Sequence, residues 1–244
     1  MRSALRASLA AFAIALHAPA AGASKLTDKA LADSTRTDAD RKADAYRKPA
    51  ETLDFSGVKP GMKVGELFPG GGYFTRPLSD IVGPTGKVYM LETTRWKGGV
   101  EADQKVLADP GRKNVVLDAT PFGEFKLPEK VDLFWITQNY HDLHIAEYGK
   151  VDLAVFNKRV FDSLKPGGTY FILDQAGNPG IGEAEIAKLH RIDKAQIIKE
   201  VEAAGFKLAG EGDFLHRTSD DHTKPIFDLK GMTDQYALKF VKPK

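Results

Sequence analysis

The residues best suited to holding a ligand are three consecutive glycines with an acidic residue on either side. Gly70, Gly71 and Gly72 form a turn directly after Pro69. Because glycine lacks a Cβ atom and adopts positive φ values, a ligand can lie directly against the backbone there. Glu66 lies shortly before the turn, and Glu92 lies about 20 residues after it. Nucleotide-binding sheets carry an acidic residue at the position of Glu92. A carboxylate there accepts two hydroxyls at once, which suits the 2′ and 3′ oxygens of a ribose.

A second group of reactive side chains occupies residues 137–144, TQNYHDLH. His141 is a candidate general base because an imidazole titrates near pH 6.5, and Asp142 is placed to orient it. Tyr140 is a third candidate for the chemistry, and Gln138 is a candidate for ligand contact. Two histidines three residues apart beside one acid are common on ordinary helices. The sequence offers no fuller set of ligands, so we predict no metal site.

These two groups need a sheet whose strands end beside one another. An apolar run before Pro69 and another at 87–91 predict two buried strands, joined by a helix that ends at Gly83-Pro84. Residues 131–136, VDLFWI, are nearly all apolar, as in a strand covered by helices on both faces. In an open α/β sheet, ligands bind beyond the carboxyl ends of the strands, which brings the two groups together. The remaining predicted elements are strands at 114–117, 169–173, 206–214 and 236–241, the last two antiparallel, and helices at 100–107, 151–164 and 193–205.

Two common nucleotide-binding motifs do not fit the glycine turn. The dinucleotide pattern G-x-G-x-x-G requires a third glycine where this chain has Thr75. The phosphate loop G-x-x-x-x-G-K-[ST] fails at Ile81 and at Val88, which follows Gly86-Lys87. A nicotinamide-dependent oxidoreductase is therefore only a weak alternative. Taken by themselves, the glycines are equally consistent with a tight turn in another α/β fold.

Residues 66–72, ELFPGGG, resemble the first motif, E/D-x-G-x-G-x-G, of the class I S-adenosylmethionine-dependent methyltransferases. Gly70 and Gly72 match the second and third glycines of that motif, and Phe68 replaces the first. The string LKPGG at 164–168, followed by I-x-D, resembles the segment after the fourth strand in small-molecule and quinone-type members. The resemblance covers about residues 58–205. It implies a single Rossmann-like α/β domain, with a mostly parallel seven-stranded sheet and helices on both faces.

The same resemblance implies S-adenosyl-L-methionine as the cofactor and methyl transfer to a small-molecule acceptor. Glu66 is expected to hold the amino acid end of the cofactor, Glu92 the ribose and Asp118 the adenine. Since the sulfonium is already activated, in-line displacement needs alignment more than it needs a nucleophile. The motif N/D-P-P-Y/F/W of amino-directed members is absent from 139–142, NYHD. The full predicted site comprises Glu66, Pro69, Gly70, Gly71, Gly72, Glu92, Asp118, Ala119 and Gln138 for the cofactor and Tyr140, His141 and Asp142 for catalysis.

Residues 1–23 have the pattern of an export signal. Arg2 and Arg6 are followed by a short apolar core at 9–16, LAAFAIAL, and by a small-x-small cleavage pattern ending at Ala23. The core is shorter than the roughly 20 residues that span a bilayer. The chain contains no cysteine, so a lipoprotein anchor and disulfides are excluded. We therefore expect a signal peptide at 1–23, cleavage after Ala23 into the periplasm or the medium, a mobile polar leader at 24–45 and the α/β domain at 46–244.

Removal of the signal leaves a balanced charge. The chain has 35 Lys and Arg against 33 Asp and Glu, and Arg2 and Arg6 are lost with the signal. Because nucleic-acid binding needs a basic face, we predict no nucleic-acid partner. We also predict no stable membrane insertion after cleavage. The sequence does not indicate an oligomeric state. S-adenosylmethionine is made in the cytosol, so a non-catalytic exported binding protein with the same fold is the main alternative.

Overall fold

The computed structural model describes residues 24–244, so the predicted export signal lies outside the described residues. Between Ser24 and Lys244 no helix combines the length and apolar character needed to cross a membrane. Short 3₁₀ helices cover His141–His144 and Ile226–Leu229. The helices and strands are α1 (Lys25–Leu31), α2 (Asp38–Arg47), α3 (Pro49–Ser56), β1 (Lys63–Leu67), α4 (Thr75–Val82), β2 (Lys87–Thr93), α5 (Lys97–Leu107), β3 (Val115–Thr120), β4 (Val131–Thr137), α6 (Leu153–Ser163), β5 (Leu164–Gln175), α7 (Glu183–Leu189), α8 (Lys194–Ala203), β6 (Lys207–Gly212) and β7 (Gln235–Val241).

The seven strands form one mixed sheet in the order β3-β2-β1-β4-β5-β7-β6. Strands β1 to β5 pair in parallel, whereas β7 runs antiparallel to both β5 and β6. The predicted single α/β domain with seven strands is confirmed, and the two closing strands make its sheet mixed. The strand order reverses between β1 and β4, which opens a crevice at their carboxyl ends.

Two hydrophobic cores lie on opposite faces of this sheet, because successive residues of a strand point to opposite sides. Trp135 and Phe171 enter the core formed with α1, α2, α3 and α4. Their neighbours Phe134 and Ile172 enter the core formed with α6, α7 and α8. Helices therefore cover both faces, which explains why the central strands are almost entirely apolar.

Residues 24–45, which the sequence predicts as a mobile leader, hold α1 and most of α2. Arg36 is 2% exposed, and it donates hydrogen bonds of 2.8 and 2.6 Å to the Asp44 carboxylate. Asp44 also accepts the Tyr73 hydroxyl at 2.7 Å, just beyond the glycine turn. The charged side chains of this segment pair with one another and with the rest of the domain. In this structure the segment therefore packs onto the domain as part of it.

Two local features differ from their predicted form. Strand β5 begins at Leu164, so the LKPGG stretch extends a strand that the sequence predicts to start at 169. At the start of α8 the sequence predicts an N-cap at Asp193 and a capping box with Gln196, and Asp193 accepts the Ala195 N–H at 2.9 Å. Gln196, however, donates to Glu200 at 3.0 Å and does not complete a capping box.

Candidate active site

The glycine turn follows β1 beside the crevice. The Phe68 N–H donates to the Leu91 carbonyl at 2.9 Å, and the Gly72 N–H closes the turn on the Pro69 carbonyl at 3.2 Å. Gly70 is exposed with φ of +58°, and a Cβ added there would meet only the Phe68 carbonyl within 4 Å, at 3.9 Å. The backbone at Gly70 is therefore open to a ligand.

Helix α5 packs against the other two glycines of the turn. A Cβ at Gly72 would lie 2.6 Å from Val106, closer than side chains approach one another. The Gly71 N–H donates to Asp103 Oδ1 at 2.8 Å. Gly71 and Gly72 are thus required for the seating of α5, and of the three glycines Gly70 alone leaves room for a bound group.

Glu66 lies beneath the turn and is 2% exposed. The Thr75 hydroxyl donates to its carboxyl at 2.6 Å, so the residue that breaks the dinucleotide pattern has a place in this site. Burial is the main reason why the pKa of Glu66 is raised to about 8, and the nearby acids Asp103 and Glu92 add to the effect. A ligand that brings a positive charge to this carboxyl would favour its ionised form.

Glu92 lies near the end of β2, and its buried carboxyl is close to that of Asp103 in α5. Burial raises both pKa values, and that of Asp103 reaches about 7, with the negative charge of Glu92 as a further cause. The Thr93 N–H donates to Glu92 Oε1 at 2.7 Å. A Cβ at Gly99 would lie 2.9 Å from Glu92 Oε2, so a side chain there would displace the carboxyl.

The residues predicted to contact adenine end the neighbouring strand β3. Ala119 is exposed and is the register partner of Glu92 in the parallel pair β2–β3. Asp118 is half-buried, and its Oδ2 accepts the Lys126 N–H at 3.3 Å. The order β3-β2-β1 therefore brings the predicted adenine, ribose and glycine positions into one row along the edge of the sheet.

An aromatic cluster of Phe68, Trp96, Phe122 and Tyr148 lies beyond the ends of these strands. Phe68 has a positive φ of 51°, the conformation that the first glycine of the motif would supply at no steric cost. Its ring stacks on Phe122 at 5.3 Å between centroids and meets Trp96 edge-on at 5.0 Å. Tyr148 packs on Trp96 at 5.6 Å and lies 6.1 Å from the His190 ring. The cluster thus connects the glycine turn with the second group of polar residues.

Two residues of that second group are engaged away from the turn. The Tyr140 hydroxyl is fully buried, donates to Glu200 at 2.9 Å and accepts from Asn157 at 2.8 Å. Burial raises its pKa well above the ordinary value, and the Glu200 charge adds to the shift. Gln138 has a φ of +63°, and its side chain donates to Gln235 of β7 at 3.0 Å. In this structure both side chains are therefore hydrogen-bonded to neighbouring elements of the fold. Their roles in catalysis and in cofactor binding stay predictions.

His141 is held by Asp174, at the end of β5. The Asp174 carboxylate lies 2.7 Å from His141 Nδ1 and accepts the His141 N–H at 2.8 Å. Burial opposes a charged imidazole, but Asp174 and Asp142 raise the pKa of His141 to about 10. With both nitrogens protonated the ring donates hydrogen bonds and accepts none. A general-base role for His141 stays a prediction that requires loss of this proton.

The structure also brings His190, the αL residue after α7, to His141 and Asp142. Its Nδ1 lies 3.3 Å from His141 Nε2 and 3.3 Å from Asp142 Oδ1. Although burial disfavours the charge, both imidazoles lower the pKa of Asp142 below its usual range. His144 is not part of this group, since it faces Glu200 at 3.2 Å.

Sequence reasoning does not place Asp103 or Asp174 in the site, and it gives His190 a contact with the acceptor only as an alternative to an ordinary helix-start contact. Asp174 ends the LKPGG-x-x-x-I-x-D string, which is a signal that could identify it. Asp103 lies on α5 and His190 directly follows α7, with no distinguishing spacing, and only the packing of these helices onto the sheet brings them close.

Comparison with known proteins bears on this geometry. No profile of a known protein family matches the chain. The "Ubiquinone/menaquinone biosynthesis C-methyltransferase UbiE" of Ectopseudomonas mendocina (strain ymp) is 32% identical over 136 residues, which are 52% of this chain and 48% of that protein. The chain therefore spans about half the length of the curated relative that it matches.

Solved structures match over a larger share of the chain. A SAM-dependent methyltransferase from Aquifex aeolicus superposes with a TM-score of 0.61 at 19% identity, covering 88% of this chain and 98% of that one. Aeropyrum pernix fibrillarin, with natively bound S-adenosyl-L-methionine, gives 0.53 at 19% identity and covers 82% and 76%. The fold is that of the class I S-adenosylmethionine-dependent methyltransferases. Within this methyltransferase fold, Glu66, Gly70 and Glu92 lie at the carboxyl ends of β1 and β2. The His141 group, formed by His141, Asp142 and His190, lies beyond the end of β4 on the other side of the point where the strand order reverses.

Proposed function

We propose that this chain is an S-adenosylmethionine-dependent methyltransferase that acts on a small-molecule acceptor. The observation that carries the proposal is the open backbone of Gly70 between two buried acids, Glu66 and Glu92, at the crevice of a methyltransferase fold. The matched region of a C-methyltransferase supports the same activity.

The residues along the sheet edge fit the parts of this cofactor. Glu66 would hold the ammonium of its amino acid end, because a buried carboxyl with a raised pKa gains most from a positive partner. Glu92 would hold the ribose hydroxyls, with Asp118 and Ala119 next to the adenine. The cofactor supplies a methyl group that is already activated for displacement. The protein's contribution is to align the acceptor with it and to keep water out.

The aromatic cluster indicates what kind of acceptor the site takes. Trp96, Phe122 and Tyr148 are half-buried, so part of each ring is accessible next to the glycine turn. Flat aromatic faces bind apolar rings by stacking and by edge-on contact. We infer that the acceptor carries an apolar ring that packs against the accessible part of this cluster.

We also propose that the protein is exported and that its mature chain begins at Ser24. The signal pattern at 1–23 supports export. Ser24 caps α1, and its backbone nitrogen lies 2.8 Å from Asp54 Oδ2. Cleavage after Ala23 would turn that nitrogen into an ammonium group and the contact into an ion pair, which supports a chain terminus at this residue.

Calorimetric titration of the purified protein with S-adenosylmethionine, S-adenosylhomocysteine and NADH tests the proposal. Micromolar binding of the first two supports a methyltransferase. Binding of NADH alone would support an oxidoreductase, and binding of none would support a non-catalytic protein that keeps the fold. Methyl transfer from labelled S-adenosylmethionine to a panel of quinones and phenols then tests the acceptor class.

A further inference from the structure

Three potential ligand atoms converge at the carboxyl end of β4. His141 Nε2, Asp142 Oδ1 and His190 Nδ1 form a triangle, and the three distances between them are each 3.3 Å. The residues come from separate elements, a 3₁₀ helix after β4 and the end of α7, so the convergence is a product of the tertiary fold.

We propose that these three atoms bind one divalent transition-metal ion, with Zn²⁺ as the best-suited ion. A tetrahedral ion with bonds of about 2.0–2.1 Å has ligands about 3.3–3.4 Å apart, which matches the triangle. An octahedral ion with bonds of the same length would need ligands only about 2.9 Å apart. Two imidazoles and one carboxylate are a donor set that zinc takes in catalytic sites, where its fourth position stays open.

The hydrogen bonding of Asp142 supports a ligand at this point. Asp142 is 4% exposed, and its Oδ1 lies 3.3 Å from both His141 Nε2 and His190 Nδ1, with neither contact aligned as a hydrogen bond among residues 24–244. The other oxygen, Oδ2, accepts the Asn139 amide at 2.7 Å, which fixes the direction of the carboxylate. A buried carboxylate oxygen whose polar contacts are poorly aligned is incompletely satisfied, and a metal ion between the three atoms would satisfy it.

His141 has the outer partner that metal-bound histidines require. Asp174 lies 2.7 Å from Nδ1 and is fully buried, so it fixes the ring and directs Nε2 toward Asp142 and His190. A carboxylate behind a ligating imidazole is the usual arrangement around zinc, because it sets the tautomer and raises the basicity of the ligand. The His190 side chain is 14% exposed, so the site can be reached from solvent on that side.

Titration of the chelator-treated protein with Co²⁺ tests the site, since tetrahedral cobalt has a strong visible absorption. We expect one Co²⁺ per chain, displaced by one equivalent of Zn²⁺ and not by an excess of Mg²⁺. His190→Asn keeps a residue that tolerates the left-handed conformation, with φ of +54° at this position, and should lower the affinity at least about 100-fold. Asp142→Asn should lower it similarly. His216→Ala, which removes another histidine close to a carboxylate, should leave it unchanged.

Thermal unfolding of each variant without metal shows whether it folds, and a Zn²⁺-dependent rise in Tm is expected in the wild type but not in His190→Asn. The proposal is overturned if the wild type binds no stoichiometric ion, because the three groups then form only a hydrogen-bonded cluster. It is also overturned if His190→Asn keeps the wild-type affinity or if only His216→Ala loses it. None of these readouts depends on methyltransferase activity.

Discussion

Asp103 of α5 accepts the Gly71 N–H at 2.8 Å, and its carboxyl lies beside that of Glu92 in β2. Burial raises the pKa of both carboxyls. One side chain therefore links the glycine turn, the end of β2 and the helix that covers both. Because Glu92 is the acid predicted to hold ribose, its environment depends on how this helix packs.

The pair makes the stability of the protein depend on pH. The pKa of Asp103 rises from an ordinary 3.8 to about 7 in the folded chain, so the folded state binds the extra proton between these values. Stability therefore falls as pH rises from about 4 to about 7 and changes little above that. Asp103→Asn keeps an acceptor for Gly71 and supplies a donor to Glu92. It should increase the free energy of unfolding by about 1–3 kcal/mol at pH 8.5 and by much less at pH 5. Urea denaturation at both pH values measures this, and an equal change at both would contradict it.

Replacement of Glu92 by alanine should weaken S-adenosylmethionine binding by roughly 1–3 kcal/mol, because the hydrogen bonds to ribose are lost. The variant should fold, since it removes a buried carboxyl that lies close to a second one. Calorimetric titration of the wild type and Glu92→Ala provides the comparison. Unchanged affinity in a folded variant would remove Glu92 from the site.

Cofactor binding at pH 7 should release protons to the buffer. The pKa of Glu66 is about 8 in the protein alone, so most of this carboxyl is protonated at pH 7 and must ionise to pair with an ammonium group. The measured binding enthalpy should therefore differ between phosphate and Tris buffers. Glu66 should contribute up to about one released proton multiplied by the difference between the ionisation enthalpies of the two buffers. Glu66→Gln should remove that share. A wild-type enthalpy that is the same in both buffers would argue against an ionised Glu66 in the complex.

Intact mass measurement tests the predicted start of the mature chain. Protein recovered from the periplasm or the medium should have the mass of residues 24–244, with Ser24 at its terminus. Ala23→Arg should block this processing, because the cleavage pattern needs a small residue there. Full-length protein confined to the cytosol would refute export.

The sequence predicts much of the fold because its signals are local. The apolar run 131–136, the glycine turn and the LKPGG string each specify a strand or its end, and their order implies the sheet that is observed. The predicted mobile leader is the main difference. Charged residues such as Arg36 and Asp44 suggest a solvated segment, and nothing local shows that they pair with each other in a buried position.

The site is predictable only where function is tied to backbone shape. Gly70 is found from the sequence because the turn requires glycine there. Tyr140 illustrates the limit: a tyrosine after a strand has the chemistry of a catalytic group, yet this one is buried against Glu200. His190 is separated from His141 by 49 positions, and only the tertiary packing of α7 makes them neighbours.

The central claim is that an adenosyl cofactor lies against the open backbone of Gly70, and a pair of matched variants tests it most directly. Gly57, at the end of α3, has φ of +77° and no atoms within 4 Å of an added Cβ, so Gly57→Val carries similar backbone strain outside the glycine turn. We predict that Gly70→Val reduces S-adenosylmethionine affinity at least tenfold, about 1.4 kcal/mol, while Gly57→Val leaves it unchanged. Equal affinity of both folded variants and the wild type would contradict the claim.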